Sequence, residues 1–156
     1  MKDNSANIYK SARRSAGLTQ ERWAEFIGVS EESIRLYESG RGLPSDEIVT
    51  KMADVSGMSI LGLWHLKEKS ALANDLLPEV ESVDFPQAVI KLLCEVRDFK
   101  ESSEELLTIA ADGYVSAAER DSFTEILDAL DGIIKAALTV KFCECTPKED
   151  RDYAKG

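Results

Sequence analysis

Apolar residues along this chain recur in steps of three and four, the spacing of one face of an α-helix. Turn-forming residues cut that pattern into pieces. In the first 70 residues the pieces are short. A helix over roughly 7–15 ends near Gly17. Thr19 is a good N-cap for a second helix, roughly 20–27, which stops at Gly28, and Ser30 caps a third, roughly 31–38. Gly40, Gly42 and Pro44 force a loop. Ser45 then caps a fourth helix to about Val55, Gly57 stops it, and Ser59 opens a fifth to about Lys69. Trp23, Phe26 and Ile27, then Ile34 and Tyr37, then Ile48, Met52 and Val55, and finally Leu61 and Trp64 form the candidate core.

The pattern lapses over residues 71–85, which carry Pro78 and several acids and read as a linker. Two long helical segments follow. The first starts near Pro86, a favourable first-turn residue, and runs to about Ala111. Val89, Leu92, Leu93, Val96 and Phe99 form its stripe, continued by Leu106, Ile109 and Ala110. Ser102 with Glu105 is a capping pattern that interrupts it or is absorbed by it. Asp112-Gly113 closes the segment. Ser116 with Glu119 forms a capping box for the second segment, to about Val140, whose apolar positions are 123, 126, 127, 130, 133, 134, 137 and 138. A short connection makes the two an antiparallel hairpin. The expected fold is therefore all-α, with a five-helix domain over 1–70, a linker over 71–85, a helical hairpin over 86–142 and a polar tail over 143–156.

Composition narrows the class. The 156 residues are 44% hydrophobic and 31% charged, as in soluble globular domains. No apolar run approaches the ~18–20 residues of a membrane span. Met1-Lys2-Asp3-Asn4-Ser5 is not backed by the apolar core of a signal peptide, so the expected location is the cytoplasm, away from membranes. The net charge of −10 is confined to one part of the chain. Residues 1–70 hold ten Lys/Arg and ten Asp/Glu, whereas residues 71–156 hold nine and nineteen. A polyanionic partner is thus disfavoured for the second half only. Cys94, Cys143 and Cys145 are odd in number and read as thiols, not as a disulfide framework.

The most informative stretch lies between residues 18 and 45. Leu18-Thr19-Gln20 opens the second helix and Ile27-Gly28-Val29-Ser30 makes the turn. Ser33-Ile34-Arg35-Leu36-Tyr37-Glu38-Ser39-Gly40 forms the third helix, and Pro44-Ser45 starts the fourth. Over about residues 7–68 the chain resembles the XRE/Cro/CI helix-turn-helix family of phage and bacterial repressors. Local physics is consistent with this. Ala24 is small enough for two helices to cross closely, Gly28 suits a positive φ, and Val29 and Ile34 can fill the wedge between the helices.

The resemblance implies a lambda-repressor-like domain whose third helix enters the major groove of double-stranded DNA. Starting from the Ser30 cap, Ile34 and Tyr37 point to one side of that helix. Glu31, Glu32, Arg35 and Leu36 point to the other, with Ser33 beside them. These five are the candidate base-reading residues. Arg35 can clamp guanine O6 and N7 or, further out, a phosphate. Glu31 or Glu32 can accept from cytosine N4, and Leu36 can meet a thymine methyl. Gln20 resembles the family's phosphate-binding glutamine, and Ser30, Ser39 and Arg41 are further candidate phosphate contacts. Arg13 and Glu38 match a buried ion pair of related repressors and are read as structural. Two adjacent carboxylates facing a polyanion depart from many relatives. They favour the positive end of the helix dipole, or mark a domain that has turned to protein binding.

Other chemistry is poorly supplied. One histidine, His65, gives no catalytic set and reads as an ordinary helix residue. There is no phosphate loop or zinc-protease motif, so an enzyme is not expected. Cys143-Glu144-Cys145 lacks the four ligands of a structural zinc site, and Asp112-Gly113-Tyr114-Val115-Ser116 lacks the oxygen ligands of a calcium loop. No metal or cofactor is expected. Gly132, inside a helix, reads equally as a close helix approach or as plain tolerance. Repressors of this type read two half-sites about one DNA turn apart and need a dimer. The hairpin is the element available for it, through Phe123, Ile126, Leu130, Ile133, Ile134 and Leu138. The alternatives are that this stripe packs within its own chain, or that the acidic hairpin binds another protein in an antitoxin-like or antirepressor-target role.

Overall fold

The computed structural model describes residues 7–143, and every regular element among them is a helix. In order these are α1 Ile8–Ser15, α2 Gln20–Ile27, α3 Glu31–Glu38, α4 Asp46–Ser56, α5 Leu61–Lys69, α6 Ala71–Leu76, α7 Phe85–Ala110 and α8 Arg120–Phe142. They form two compact units that divide between Leu77 and Pro78.

In the first unit, α1 to α5 enclose a core of Tyr9, Ala12, Trp23, Ala24, Ile27, Ile34, Val49, Met52, Ile60 and Leu61. Asn7 caps α1, its side chain accepting from the Tyr9 and Lys10 amides, and its amide nitrogen donates to the Tyr37 carbonyl at 2.8 Å. Thr19, Ser30 and Ser45 cap α2, α3 and α4. Trp23 is fully buried, and its indole N–H has no hydrogen-bond partner among the described residues.

Several expectations are corrected here. Phe26 is exposed, with the Arg22 guanidinium 5.5 Å from its ring centroid, because its position on α2 faces away from the core. Val55 is likewise exposed at the outer side of α4. Ser59 does not cap α5: the helix starts at Leu61, and burial of Met58, Ile60 and Leu61 draws the chain in without a side-chain cap. The stretch read as linker begins with a helix. Ser70 caps α6 by accepting from the Ala73 amide, and Lys67 donates to the Leu77 carbonyl at 2.8 Å.

His65 is a further correction. It is 2% exposed and bridges three helices. Its Nδ1 lies 2.8 Å from the Tyr9 hydroxyl and its Nε2 3.1 Å from Asp46 Oδ1, which also accepts from Lys69 at 2.7 Å. With Nε2–H donating to Asp46, the Tyr9 hydroxyl donates to Nδ1 and every polar atom of the ring is satisfied. Burial pushes the Tyr9 hydroxyl up to about 12, with the Glu68 charge adding to it. Hydrogen bonds from Lys69 and His65 lower the Asp46 carboxyl.

The second unit is the antiparallel pair α7 and α8. Asp84 caps α7 by accepting from the Gln87 amide, and Pro86 sits in the first turn. The helix runs unbroken through Ser102, so that capping pattern is not used. Of the box at residues 116–119, the Glu119 carboxylate accepts from the Ser116 amide at 2.9 Å, but a turn follows and α8 begins only at Arg120. A Cβ on Gly132 would lie 2.5 Å from Glu95 Oε2, so the glycine makes room for a carboxylate and not for a helix backbone. Ile126, expected at a dimer interface, is 2% exposed and faces the hairpin interior. Cys94 is exposed, Cys143 donates to the Val140 carbonyl, and Cys145 lies outside the described residues. Among the described residues no His/Cys/Asp/Glu cluster is placed to hold a metal, and no helix is long and apolar enough to cross a membrane.

The Tyr9–His65 contact generates a pH prediction. A tyrosine that keeps its proton to about 12 when folded, but releases it near 10 when unfolded, contributes stability below pH 10 that is lost as pH rises through that window. The Tyr9→Phe variant should be about 1–3 kcal/mol less stable at neutral pH, since the buried His65 Nδ1 loses its donor. It should also lose less stability than the parent between pH 9 and 11. Urea unfolding at the three pH values measures both.

Candidate nucleic-acid interface

The candidate surface is the outer face of α3, and its position is set from the inside. Gly28 ends α2 at φ 81°, and its amide and that of Val29 both donate to the Ala24 carbonyl. That left-handed residue closes the turn at no Cβ cost. Ile34, fully buried, wedges α3 against α2. At the far end of α3 the Glu38 carboxylate, 4% exposed, is gripped by three donors. Arg13 Nε donates at 2.5 Å and Nη2 at 3.0 Å, and Gln20 Nε2 donates at 2.9 Å. The remaining Arg13 nitrogen donates to the Leu18 carbonyl at 2.7 Å. Burial pushes the Glu38 carboxyl up, but the Arg13 and Gln20 hydrogen bonds and the Arg13 charge outweigh it and hold the carboxyl below its ordinary range. The Glu38 hydrogen bond raises Arg13 in turn.

With α3 fixed, Glu32, Arg35 and Leu36 are exposed, and Glu31 and Ser33 half-exposed. Glu32, Arg35 and Leu36 thus turn away from Ile34, Ser33 lies to the side, and Glu31, one turn before Ile34, sits at the edge of the buried face. Arg35 does not stand alone: its Nη2 donates to Glu31 Oε1 at 2.7 Å, one turn back. The pair cancels one of the two adjacent carboxylates. A solvent-exposed pair of this kind is worth only ~0.3–0.5 kcal/mol, so it orients Arg35 without locking it.

The four candidate phosphate residues fall into two groups. Ser30 Oγ caps α3 and lies 2.9 Å from Ser33 Oγ. Ser39 Oγ donates to the Leu36 carbonyl and accepts from Arg41 Nε at 3.1 Å, which brings Ser39 and Arg41 together just beyond α3. Gln20 is half-buried and spends one amide hydrogen on Glu38. That inward bond, which makes Gln20 part of the helix-positioning network, has no signal in the sequence beyond the residue itself. Asn7 was also missed as a positioning residue; only its place just before α1 hints at its capping role.

Replacing Glu38 by Gln leaves the Arg13 charge nearly buried beside a neutral group. The expected loss is about 3 kcal/mol of stability in urea unfolding at pH 7. Because the folded-state carboxyl is lowered, its contribution is present above the ordinary carboxylate range and fades as pH falls through the lower folded value. The gap between parent and Glu38→Gln should therefore close on acidification. A gap that is constant with pH contradicts the ion-pair account.

Comparison with known proteins agrees with this geometry. A family model described as helix-turn-helix matches residues 10–63. Over 102 residues the chain is 31% identical to the cryptic phage CTXphi transcriptional repressor RstR of Vibrio cholerae serotype O1, covering 64% of this chain and 91% of the relative. That match is longer than the first unit, Met1–Leu77, and so runs into the second. The SPbeta prophage-derived uncharacterized HTH-type transcriptional regulator YonR of Bacillus subtilis is 34% identical over 50 residues, 32% of this chain and 46% of that relative. No solved structure matches the chain significantly. By fold, by motif and by these relatives, the chain belongs to the XRE-type helix-turn-helix family of DNA-binding transcriptional regulators.

Proposed function

We propose that this protein is a dimeric repressor that reads a two-fold symmetric operator with the outer face of α3. The observation that carries the proposal is the row of exposed Glu32, Arg35 and Leu36, with half-exposed Glu31, on a helix held from behind by the Glu38 network. No chemistry is required of it. Bound across a promoter, the dimer excludes the transcription machinery, in keeping with the repressor that it resembles over most of that relative's length.

In this reading Arg35 leaves Glu31 to clamp guanine O6 and N7, Glu31 or Glu32 accepts from a cytosine amino group, Ser33 adds a hydroxyl, and Leu36 covers a thymine methyl. Ser39 and Arg41 meet the phosphates beyond one end of α3, and Ser30 those at the other. Gln20 uses its second amide hydrogen at the α2 N-terminus, where backbone amides also suit an anion. A single domain makes too few contacts for tight specific binding, which is why two copies are needed.

Sheared genomic DNA captured on the purified protein at moderate salt should yield a motif with two half-sites about one helical turn apart. Absence of any enriched motif from a folded sample refutes sequence-specific reading and transfers weight to a protein partner. On the recovered site, Arg35→Ala should weaken binding by about 1–3 kcal/mol and relax preference at one base position. Arg41→Ala should weaken cognate and scrambled DNA alike and flatten the dependence of affinity on salt. Equal losses on both DNAs for Arg35→Ala remove its reading role.

A further inference from the structure

The α7–α8 pair leaves one face uncovered, and it is continuous across both helices. Successive residues of a helix turn by about 100°. On α7, Leu93, Val96 and Leu107 lie about a quarter turn past the half-buried line of Leu92, Phe99 and Leu106 that faces α8. On α8, Leu127, Leu130 and Ile134 are offset from the inward line of Ile126, Ile133 and Val140 in the same sense. Because the helices run antiparallel, an equal offset toward higher residue numbers carries both stripes to the same side. Leu93 is 63% exposed, Leu107 73% and Ile134 49%. Aligned apolar stripes on both members of a hairpin are the inner surface of half a four-helix bundle.

The rim of this face says what covers it. The outer edge of α7 carries Arg97, Lys100 and Glu104, and that of α8 carries Asp131 and Arg120, all exposed. The Glu95–Gly132 contact sets the level of one helix against the other. From it, Arg97 lies level with Leu130, next to Asp131. Lys100 lies about one turn along, and Glu104 lies level with Phe123, within a turn of Arg120. A two-fold axis parallel to the helices lays a second α7 on this α8 at the same level. Arg97 and Lys100 then meet the partner's Asp131, and Glu104 meets the partner's Arg120. A two-fold axis across the helices instead lays α7 on α7 and forms neither set.

We infer that the face is covered by a second copy of this chain, in a four-helix bundle with each α7 against the partner's α8. The inference deepens the dimeric reading above and rests on it, but it is tested without DNA. Sedimentation equilibrium on the full chain should show a dimer at micromolar concentration. Arg120→Glu or Glu104→Arg alone should weaken it about tenfold, and the two together should restore it to within about threefold of the parent, with helical circular dichroism unchanged throughout. A monomeric parent, singles without effect, or a double variant as weak as the two losses combined overturns the arrangement. DNA binding is then measured separately, so a dimer that captures no operator refutes the DNA reading alone, and a monomer that does capture one refutes the bundle alone.

Discussion

The carboxylate of Glu38 ties together the first three helices, beyond the apolar core that they share. It lies at the end of α3, receives two hydrogen bonds from Arg13 on α1 and one from Gln20 on α2, and is almost wholly removed from water. A buried charge of this kind is tolerable only when its partners are in place. The orientation of α3 is therefore coupled to the packing of α1 and α2. A rotation of α3 that moved Arg35 away from its present direction would also pull Glu38 from its donors. The exposed outer face of α3 and the buried ion pair are two sides of one short helix, and the second gives the first its fixed direction.

Much of this unit was legible because its signals are local. Side-chain caps at Thr19, Ser30 and Ser45 and a left-handed Gly28 depend on residues within four positions, and the structure uses all of them. What was not legible depends on residues far apart. Nothing near His65 announces Tyr9, 56 positions earlier, as its partner. Phe26 and Trp23 are both aromatic residues on α2, and only the packing of other helices decides that one is buried and the other faces water. Helix starts failed where burial competed with capping: Ser59 lost to the inward pull of Ile60 and Leu61, and Ser102 lost to the continuity of α7. Helical geometry alone sets Glu32 and Leu36 almost opposite the buried Ile34 and turns Arg35 toward solvent, and the structure keeps all three exposed. The Glu31–Arg35 pair was missed although i,i+4 spacing was its signal.

The second unit follows a different logic. Two helices cannot enclose a core, and most large apolar side chains of α7 and α8 keep part of their surface in water. Stability for such a hairpin comes from what it packs against. Nearly all of the acidic excess lies outside the first unit, whose residues Met1–Leu77 carry a net charge of −1 against −9 for the rest of the chain. Separating charge in this way keeps most of the repulsion that a polyanion would feel out of the helix-turn-helix unit.

The placement of the aromatic residues has an optical consequence. The chain has two tryptophans, Trp23 and Trp64, and both belong to the first unit, one of them sealed from solvent. Intrinsic tryptophan emission is therefore blind to the hairpin, whereas far-ultraviolet dichroism sums both units almost equally, since α1 to α6 together hold about as many helical residues as α7 and α8. One spectroscopy thus follows the first unit alone and the other follows both. Melting curves recorded by both on one sample report whether the two units unfold as one cooperative body or as two.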